Sequence, residues 1–250
     1  MRIIPVLDLM EGQVVRGVGG RRDAYRPIES PLVASAAPAD VASAFVGRLA
    51  LSEAYVADLD AIAGQPPSWD VYRRLIDRGL RLWVDAGISD TSRAAELASF
   101  RHGQESLVGI IAGLESLPDV QTLSQFREIA GEERFLFSLD MKNGKPITSV
   151  PAWRDATAEH IAQEALGLGV RRLIVLDLAQ VGMSEGVRTG ALCRHIRRLD
   201  ASLEITAGGG VRGLDDLHSL ADAGCNAALV ASALHDARIS PEEIQTLVGG

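Results

Sequence analysis

Two aspartates close matching apolar runs in this chain. Ile3-Ile4-Pro5-Val6-Leu7-Asp8-Leu9-Met10-Glu11-Gly12 opens it, and Phe135-Leu136-Phe137-Ser138-Leu139-Asp140-Met141-Lys142-Asn143-Gly144 begins its second half. Each reads as a strand carrying Leu-Asp at its end, and the offset of 132 is close to half of the 250 residues. A carboxylate at the mouth of one strand per half suits general acid–base work on a phosphosugar. One carboxylic acid protonates a ring oxygen and opens the sugar, while the other, as carboxylate, takes a proton from the adjacent carbon. The two roles need pKa values pushed apart, which burial and like charge provide. The alternative is that Asp8 and Asp140 bind loop amides or a metal. Metal is the weaker choice, because the five histidines are scattered and none joins a carboxylate at ligand spacing. The absence of GxSxG and of a Cys–His arrangement argues against nucleophilic catalysis.

The most specific local signal is Ala207-Gly208-Gly209-Gly210-Val211-Arg212. Glycines after a strand let the backbone approach a ligand closely and turn N–H groups toward an anion. Ser232, just past the last strand-like run, completes a candidate phosphate cradle between the seventh and eighth loops, where barrels often hold one. The other reading is a structural triple-glycine turn. Asp58, Asp85 and Asp177 also sit at strand ends and are candidate substrate contacts. Arg16 could meet a phosphate or carboxylate, or be a solvated surface residue. Trp153 could stack on a ring or anchor its loop.

These residues need a frame that brings strand ends together. Strand-like runs over 54–59, 81–85, 107–112, 135–139, 171–177, 203–207 and 227–231 follow the first, each succeeded by a segment with helical spacing. Ser68 is placed as a helix cap, and Ser240-Pro241-Glu242-Glu243 reads as a capping box. Eight strand–helix alternations with strands buried on both faces imply parallel pairing. At this length they fit a (β/α)8 TIM barrel, one domain over 1–250 with half-repeats of about 1–132 and 133–250. An open doubly wound sheet is the alternative, but no GxGxxG follows the first strand. The long segment from Arg16 to Ala37 reads as a flap over the first strand's mouth or as a loose insertion.

Composition narrows the partners. The net charge of −8 argues against nucleic acid as a partner and leaves a phosphorylated small molecule open. Two cysteines, Cys193 and Cys225, without CxxC spacing, are the habit of a cytoplasmic chain, and both read as small buried residues. No signal-like segment and no apolar run of about 18 residues argue against export and membrane spanning. No cofactor or metal is called for. A homo-oligomer is allowed by the sequence, which does not set the assembly state.

Ile3-Ile4-Pro5-Val6-Leu7-Asp8-Leu9, Gln13-Val14-Val15-Arg16, Ser138-Leu139-Asp140, and Gly208-Gly209-Gly210-Val211 with Leu214-Asp215-Asp216 resemble the histidine-biosynthesis barrels. These are the phosphoribosylformimino-aminoimidazole carboxamide ribotide isomerase and the cyclase subunit of imidazole glycerol phosphate synthase. Val6 and Arg16 place the chain nearer the isomerase, since the cyclase usually has cysteine and lysine in this unit. The resemblance spans the whole chain. It implies a cofactor-free Amadori rearrangement of an aminoaldose to an aminoketose, with Asp8 and Asp140 at the base and acid positions.

The departures point to changed specificity. The isomerase pattern has a glycine-rich phosphate loop after strand three, where this chain has Asp85-Ala86-Gly87. It also has a threonine and an Asp-Gly-Thr after strand six, where this chain has Leu176-Asp177-Leu178 and Gln180-Val181-Gly182-Met183. Ala112-Gly113-Leu114-Glu115-Ser116-Leu117 is similar to a divergent branch found beside genes for methanopterin- or methanofuran-type one-carbon cofactors. The expectation is an isomerase of a phosphorylated sugar-derived substrate with altered specificity. The ordinary histidine-pathway isomerase, a paralogue in one-carbon cofactor synthesis and a non-catalytic binding or scaffold subunit are the alternatives.

Overall fold

The computed structural model describes residues 1–183 and 186–249. Among them, eight parallel strands close into a barrel: β1 (Arg2–Met10), β2 (Glu53–Asp58), β3 (Arg81–Asp85), β4 (Gly109–Gly113), β5 (Phe135–Lys142), β6 (Arg172–Asp177), β7 (Glu204–Gly208) and β8 (Ala227–Val230). Each pairs with the next in chain order, and β8 returns to β1 with Ile3 opposite Ala228 and Ile4 opposite Leu229. The main helices are α1 (Pro38–Leu49), α2 (Trp69–Asp77), α3 (Thr91–Ser99), α4 (Val120–Ala130), α5 (Ala158–Gly167), α6 (Gly190–Leu199), α7 (Leu214–Asp222) and α8 (Pro241–Gly249). The fold is the (β/α)8 barrel that the alternation predicts.

The strands are nearly continuously apolar because both faces are covered. Outward residues such as Leu7, Val56, Val84, Leu139 and Val175 pack under the helices. Inward residues such as Ile4, Tyr55, Trp83, Ile111, Leu136 and Ile174 fill the barrel. Both cysteines are buried and unbonded, as their isolation in the sequence suggests. Helices α3, α4 and α5 open on side-chain caps from Asp90, Asp119 and Thr157. The box before α8 forms reciprocally: Ser240 N–H donates to Glu243 Oε2 at 2.7 Å, and Glu243 N–H to Ser240 Oγ at 3.2 Å. Ser68 departs from its expected role. Its hydroxyl makes no cap bond, and its N–H donates instead to Asp58 at 2.8 Å.

The amino-terminal end of the barrel is sealed by charge. Arg2 bridges Glu53 and Glu204, Arg81 reaches Glu53 at 2.8 Å, and Arg172 reaches Glu204 at 2.9 Å with its guanidinium 4.9 Å from the Trp83 ring centre. The opposite rim carries the strand ends and stays open beneath one excursion. After β1 the chain folds back as an antiparallel strand (Gln13–Arg16), a single 3-10 turn (Arg22–Ala24) and a two-residue strand (Arg26–Pro27). Gly19 N–H donates to Val181 O at 2.8 Å, and the Arg22 guanidinium meets Glu115 at 2.7 Å. The segment from Arg16 to Ala37 therefore lies as a structured cover across the mouth, fastened to the loops after β4 and β6.

Candidate active site

Strand parity decides which strand-end aspartates face the barrel axis. Side chains alternate across a strand, so a one-residue step moves a carboxylate from one face to the other. Asp8 lies opposite Ala57, Ala57 opposite Asp85, and Asp140 opposite Leu176. These share the inward level, and all three aspartates line one cavity of about 580 Å³ at the rim. Asp58 lies opposite Leu9, and Asp177 opposite Met141, one step along and on the outward level.

Asp58 and Asp177, expected as substrate contacts, are placed by that parity outside the cavity lining. Asp58 is fully buried and accepts hydrogen bonds from Tyr72 Oη at 2.5 Å, Ser68 N at 2.8 Å and Ala61 N at 3.2 Å. Asp177 accepts from the amides of Asn143, Gly144 and Ala179, at 2.9 to 3.0 Å, and so holds the hairpin after β5. Asp58→Ala would leave three buried donors without an acceptor. We expect it to lower unfolding free energy by about 3 kcal/mol, on the order of one to three for each lost partner with partial relaxation. Urea titration checks this, and Asp58→Asn should recover part of the loss.

Trp153 serves the scaffold, and Arg16 is held in an ion pair beside a small pocket that it lines with Asp8 and Ser232. The Trp153 indole is fully buried, donates to Glu164 of α5 and sits 6.3 Å from the Phe137 ring, so it anchors its loop. Arg16 is ion-paired to Asp236 beyond β8, tying the first unit to the last, outside the main cavity.

Burial raises all three inward acids, and their hydrogen bonding differs. The Asp8 carboxyl makes no hydrogen bond among the described residues, and burial pushes it up to about 7, with Arg22 opposing. Asp140 is raised well above the usual carboxylate range by burial and then by the charge of Asp85. It accepts from Ser138 Oγ at 2.6 Å and Leu114 N at 2.9 Å, which moderates the rise. Burial also raises Asp85, to about 6. Two glycines make room for these groups. A side chain at Gly113 would begin 3.1 Å from Asp140 Oδ2 and 3.4 Å from Asp85 Oδ2, and one at Gly17 would begin 2.9 Å from Asp8 Oδ2.

The opposite part of the cavity is a glycine cradle. Gly209 and Gly210 take φ of +90° and +84° and line the cavity together with Ser232. No backbone acceptor takes the N–H of Gly209, Gly210 or Ser232 among the described residues. Gly208 does not border the cavity. It is the inward end of β7, where a side chain would begin 2.9 Å from Leu176 Cδ1, and it makes space for core packing. Arg212 is engaged by Asp216 at 2.7 Å and turns away from a phosphate role.

Several cavity residues carried no functional signal in the sequence. Tyr55, Tyr25, Glu115, Arg22 and Lys142 all line the cavity. Tyr55 stands two residues before Ala57 and shares its inward parity, which the register with β1 and β3 defines. Its hydroxyl is raised well above the normal phenol range by burial, then by the charges of Asp85, Asp140, Asp8 and Glu115, so it stays protonated amid four acids. Arg22, Tyr25 and Glu115 come from loops whose path only the folded chain defines. Among the described residues, no group of three or more His, Cys, Asp or Glu side chains could hold a metal ion. Nor is any described helix long and apolar enough to cross a membrane.

Comparison with known proteins places this architecture. A protein of Methanocaldococcus jannaschii described as uncharacterized is 30% identical over 250 residues, covering 98% of this chain and 97% of that protein. The 1-(5-phosphoribosyl)-5-((5-phosphoribosylamino)methylideneamino) imidazole-4-carboxamide isomerase of Caldicellulosiruptor bescii is 29% identical, covering 99% of this chain and 100% of the relative. Its namesake in Desulfitobacterium hafniense strain Y51 is 31% identical, covering 100% of this chain and 98% of the relative. The profile of the family described as "Histidine biosynthesis protein" matches residues 2–240. With a closed barrel, paired inward carboxylates and full-length similarity in agreement, the chain belongs to the histidine biosynthesis protein family.

Proposed function

We propose that the protein is a cofactor-independent isomerase of a phosphorylated, sugar-derived substrate, with Asp8 as base and Asp140 as acid. The observation that carries this is the pair of inward carboxylates on β1 and β5, sharing one cavity with the Gly209–Gly210 cradle. The phosphate sits on the cradle amides and Ser232, which fixes the sugar across the mouth. Asp140, whose carboxyl burial and then the charge of Asp85 hold above the usual carboxylate range, gives its proton to the ring oxygen as the bond from that oxygen to C1 breaks. The substrate nitrogen supplies the electron pair, forming an iminium at C1. Asp8, poised near 7, takes the C2 proton as carboxylate and returns it to C1 of the enolamine. The C2 hydroxyl loses its proton to Asp140 as the ketone forms, so both acids end as they began.

Two readings of the substrate differ in a testable way. The isomerase names of the relatives at 29 and 31% identity favour the histidine-pathway substrate, which carries two phosphates. Asp85 in place of a second phosphate loop favours a different, singly phosphorylated one. The second reading is preferred, because a buried carboxylate repels a phosphate at close range. Expression in a histidine auxotroph lacking the isomerase separates them. Failure to restore growth, with small molecules retained by the protein from its native host proving to be monophosphates, is the expected result. Growth at the rate given by an ordinary isomerase would overturn the altered specificity. An inactive protein toward every retained compound would overturn the isomerase reading itself.

A further inference from the structure

The cavity is lopsided. Its β7–β8 side offers open amides, whereas its β3–β4 side offers carboxylates. In the turn after β3, the Gly87 N–H, which would face an anion in a phosphate cradle, donates to Asp85 Oδ1 at 3.1 Å. The chain's own carboxylate occupies the amide a ligand phosphate would use. The turn is also pressed against the short helix after β2. A side chain at Gly87 would begin 2.7 Å from Ile62 Cα.

The second Asp85 oxygen points to what belongs there. Asp85 is 8% exposed, and its Oδ2 has one contact, the Tyr55 hydroxyl at 3.4 Å. That is longer than the ~2.5–3.0 Å of a good O–H···O bond, so this buried carboxylate oxygen, in a residue that lines the cavity, has a single long hydrogen bond. Asp140 Oδ2 lies on the same side, across the space at Gly113. Glu115 lies nearby, and the Arg22 guanidinium is already committed to it at 2.7 Å. Burial lifts the Asp85 carboxyl to about 6, so it is mostly ionised at neutral pH yet poorly solvated, the condition that a donor with positive charge relieves most. A second phosphate would face like charge here, and a hydroxyl could supply a hydrogen bond without neutralising the carboxylate.

We propose that the Asp85–Tyr55 side of the cavity receives a protonated amine, so that the substrate is a monophosphate with a cationic nitrogen at its far end. Asp85 is then the specificity-determining residue, accepting from the ammonium through Oδ2. This rests on the isomerase reading above in one respect: it places the phosphate on the Gly209–Gly210 side.

Calorimetry on the full chain at pH 7.5 tests it with three probe series of matched length, three to eight carbons long: aminoalkyl monophosphates, hydroxyalkyl monophosphates and alkane bisphosphates. At the best length the amine is expected to bind at least about tenfold tighter than its hydroxyl counterpart, with the bisphosphate weakest. Asp85→Asn should bring the amine-to-hydroxyl ratio within about threefold. Bisphosphates binding as tightly as amines, or an amine preference unchanged in Asp85→Asn, would overturn the proposal. If that variant does not fold, the wild-type ratios decide alone. Amines and alcohols binding equally, both through phosphate, would remove this inference and leave the cradle in place. Phosphates binding no better than the parent alcohols would remove both.

Discussion

Asp8→Asn is expected to abolish turnover and to stabilise the protein at the same time. A positioned acid or base contributes roughly 10²- to 10⁴-fold to rate, so kcat should fall by about 10³-fold or more. The gain in stability follows from the same burial. Asp8 titrates at about 7 in the folded chain, against 3.8 for an aspartate free in water. Between about pH 4 and 7 the folded state holds a proton that the unfolded state has released, so stability falls as pH rises through that window and levels off above it. A tenfold change in proton affinity corresponds to about 1.4 kcal/mol, which makes the penalty at pH 8 on the order of 2–4 kcal/mol. Asparagine removes it, less the cost of housing an amide with no partner. Urea unfolding at pH 5 and pH 8, beside turnover, checks both halves. Wild type should lose more stability between the two pH values than Asp8→Asn. Equal losses, or activity within tenfold of wild type, would remove Asp8 from the base role. Asp140→Asn should be as inactive but gain less stability. Its two oxygens accept from Ser138 Oγ and Leu114 N, bonds that already offset part of the burial; an amide keeps the Leu114 contact through its oxygen and the Ser138 contact only by reversing it, with the amide donating to the hydroxyl.

Gly209→Ala has the second large effect, on the phosphate end. Gly209 sits at φ +90°, and a side chain there would begin 2.6 Å from the backbone oxygen of Asp177. Backbone cannot swing aside as a flexible side chain does, so the loop after β7 must move away from the cradle. The expected result is a drop in kcat/KM of about 100-fold, the scale of about 3 kcal/mol of lost phosphate binding, and a stability loss of about 2–3 kcal/mol from strain. Gly144→Ala is the control. Gly144 also has positive φ, +75°, but nothing lies within 4 Å of its missing side chain. It should cost only the conformational penalty of about 1 kcal/mol and leave kcat/KM near wild type. Equal effects of the two substitutions on kcat/KM would show that the cradle contributes little to substrate binding.

Both predictions turn on residues that line the one cavity, and here sequence and tertiary structure divide the work. Eight apolar runs, each followed by a helical period, determine parallel strands covered on both faces and favour a barrel at this length, while the pairing of β8 with β1 decides it against an open sheet. Leu-Asp at the ends of β1 and β5, and the glycines after β7, mark the candidate site in the sequence. The sequence does not separate Asp8, Asp85 and Asp140 from Asp58 and Asp177. All five end strands, and only the register between neighbouring strands says which face the axis. Trp153 and Arg16 likewise found partners, Glu164 and Asp236, that no spacing announces. Tyr55, Arg22 and Glu115 enter the cavity from three separate segments. A closed barrel brings distant strand ends within a few ångströms of one another, and that closeness belongs to the ring as a whole, not to any local stretch of chain.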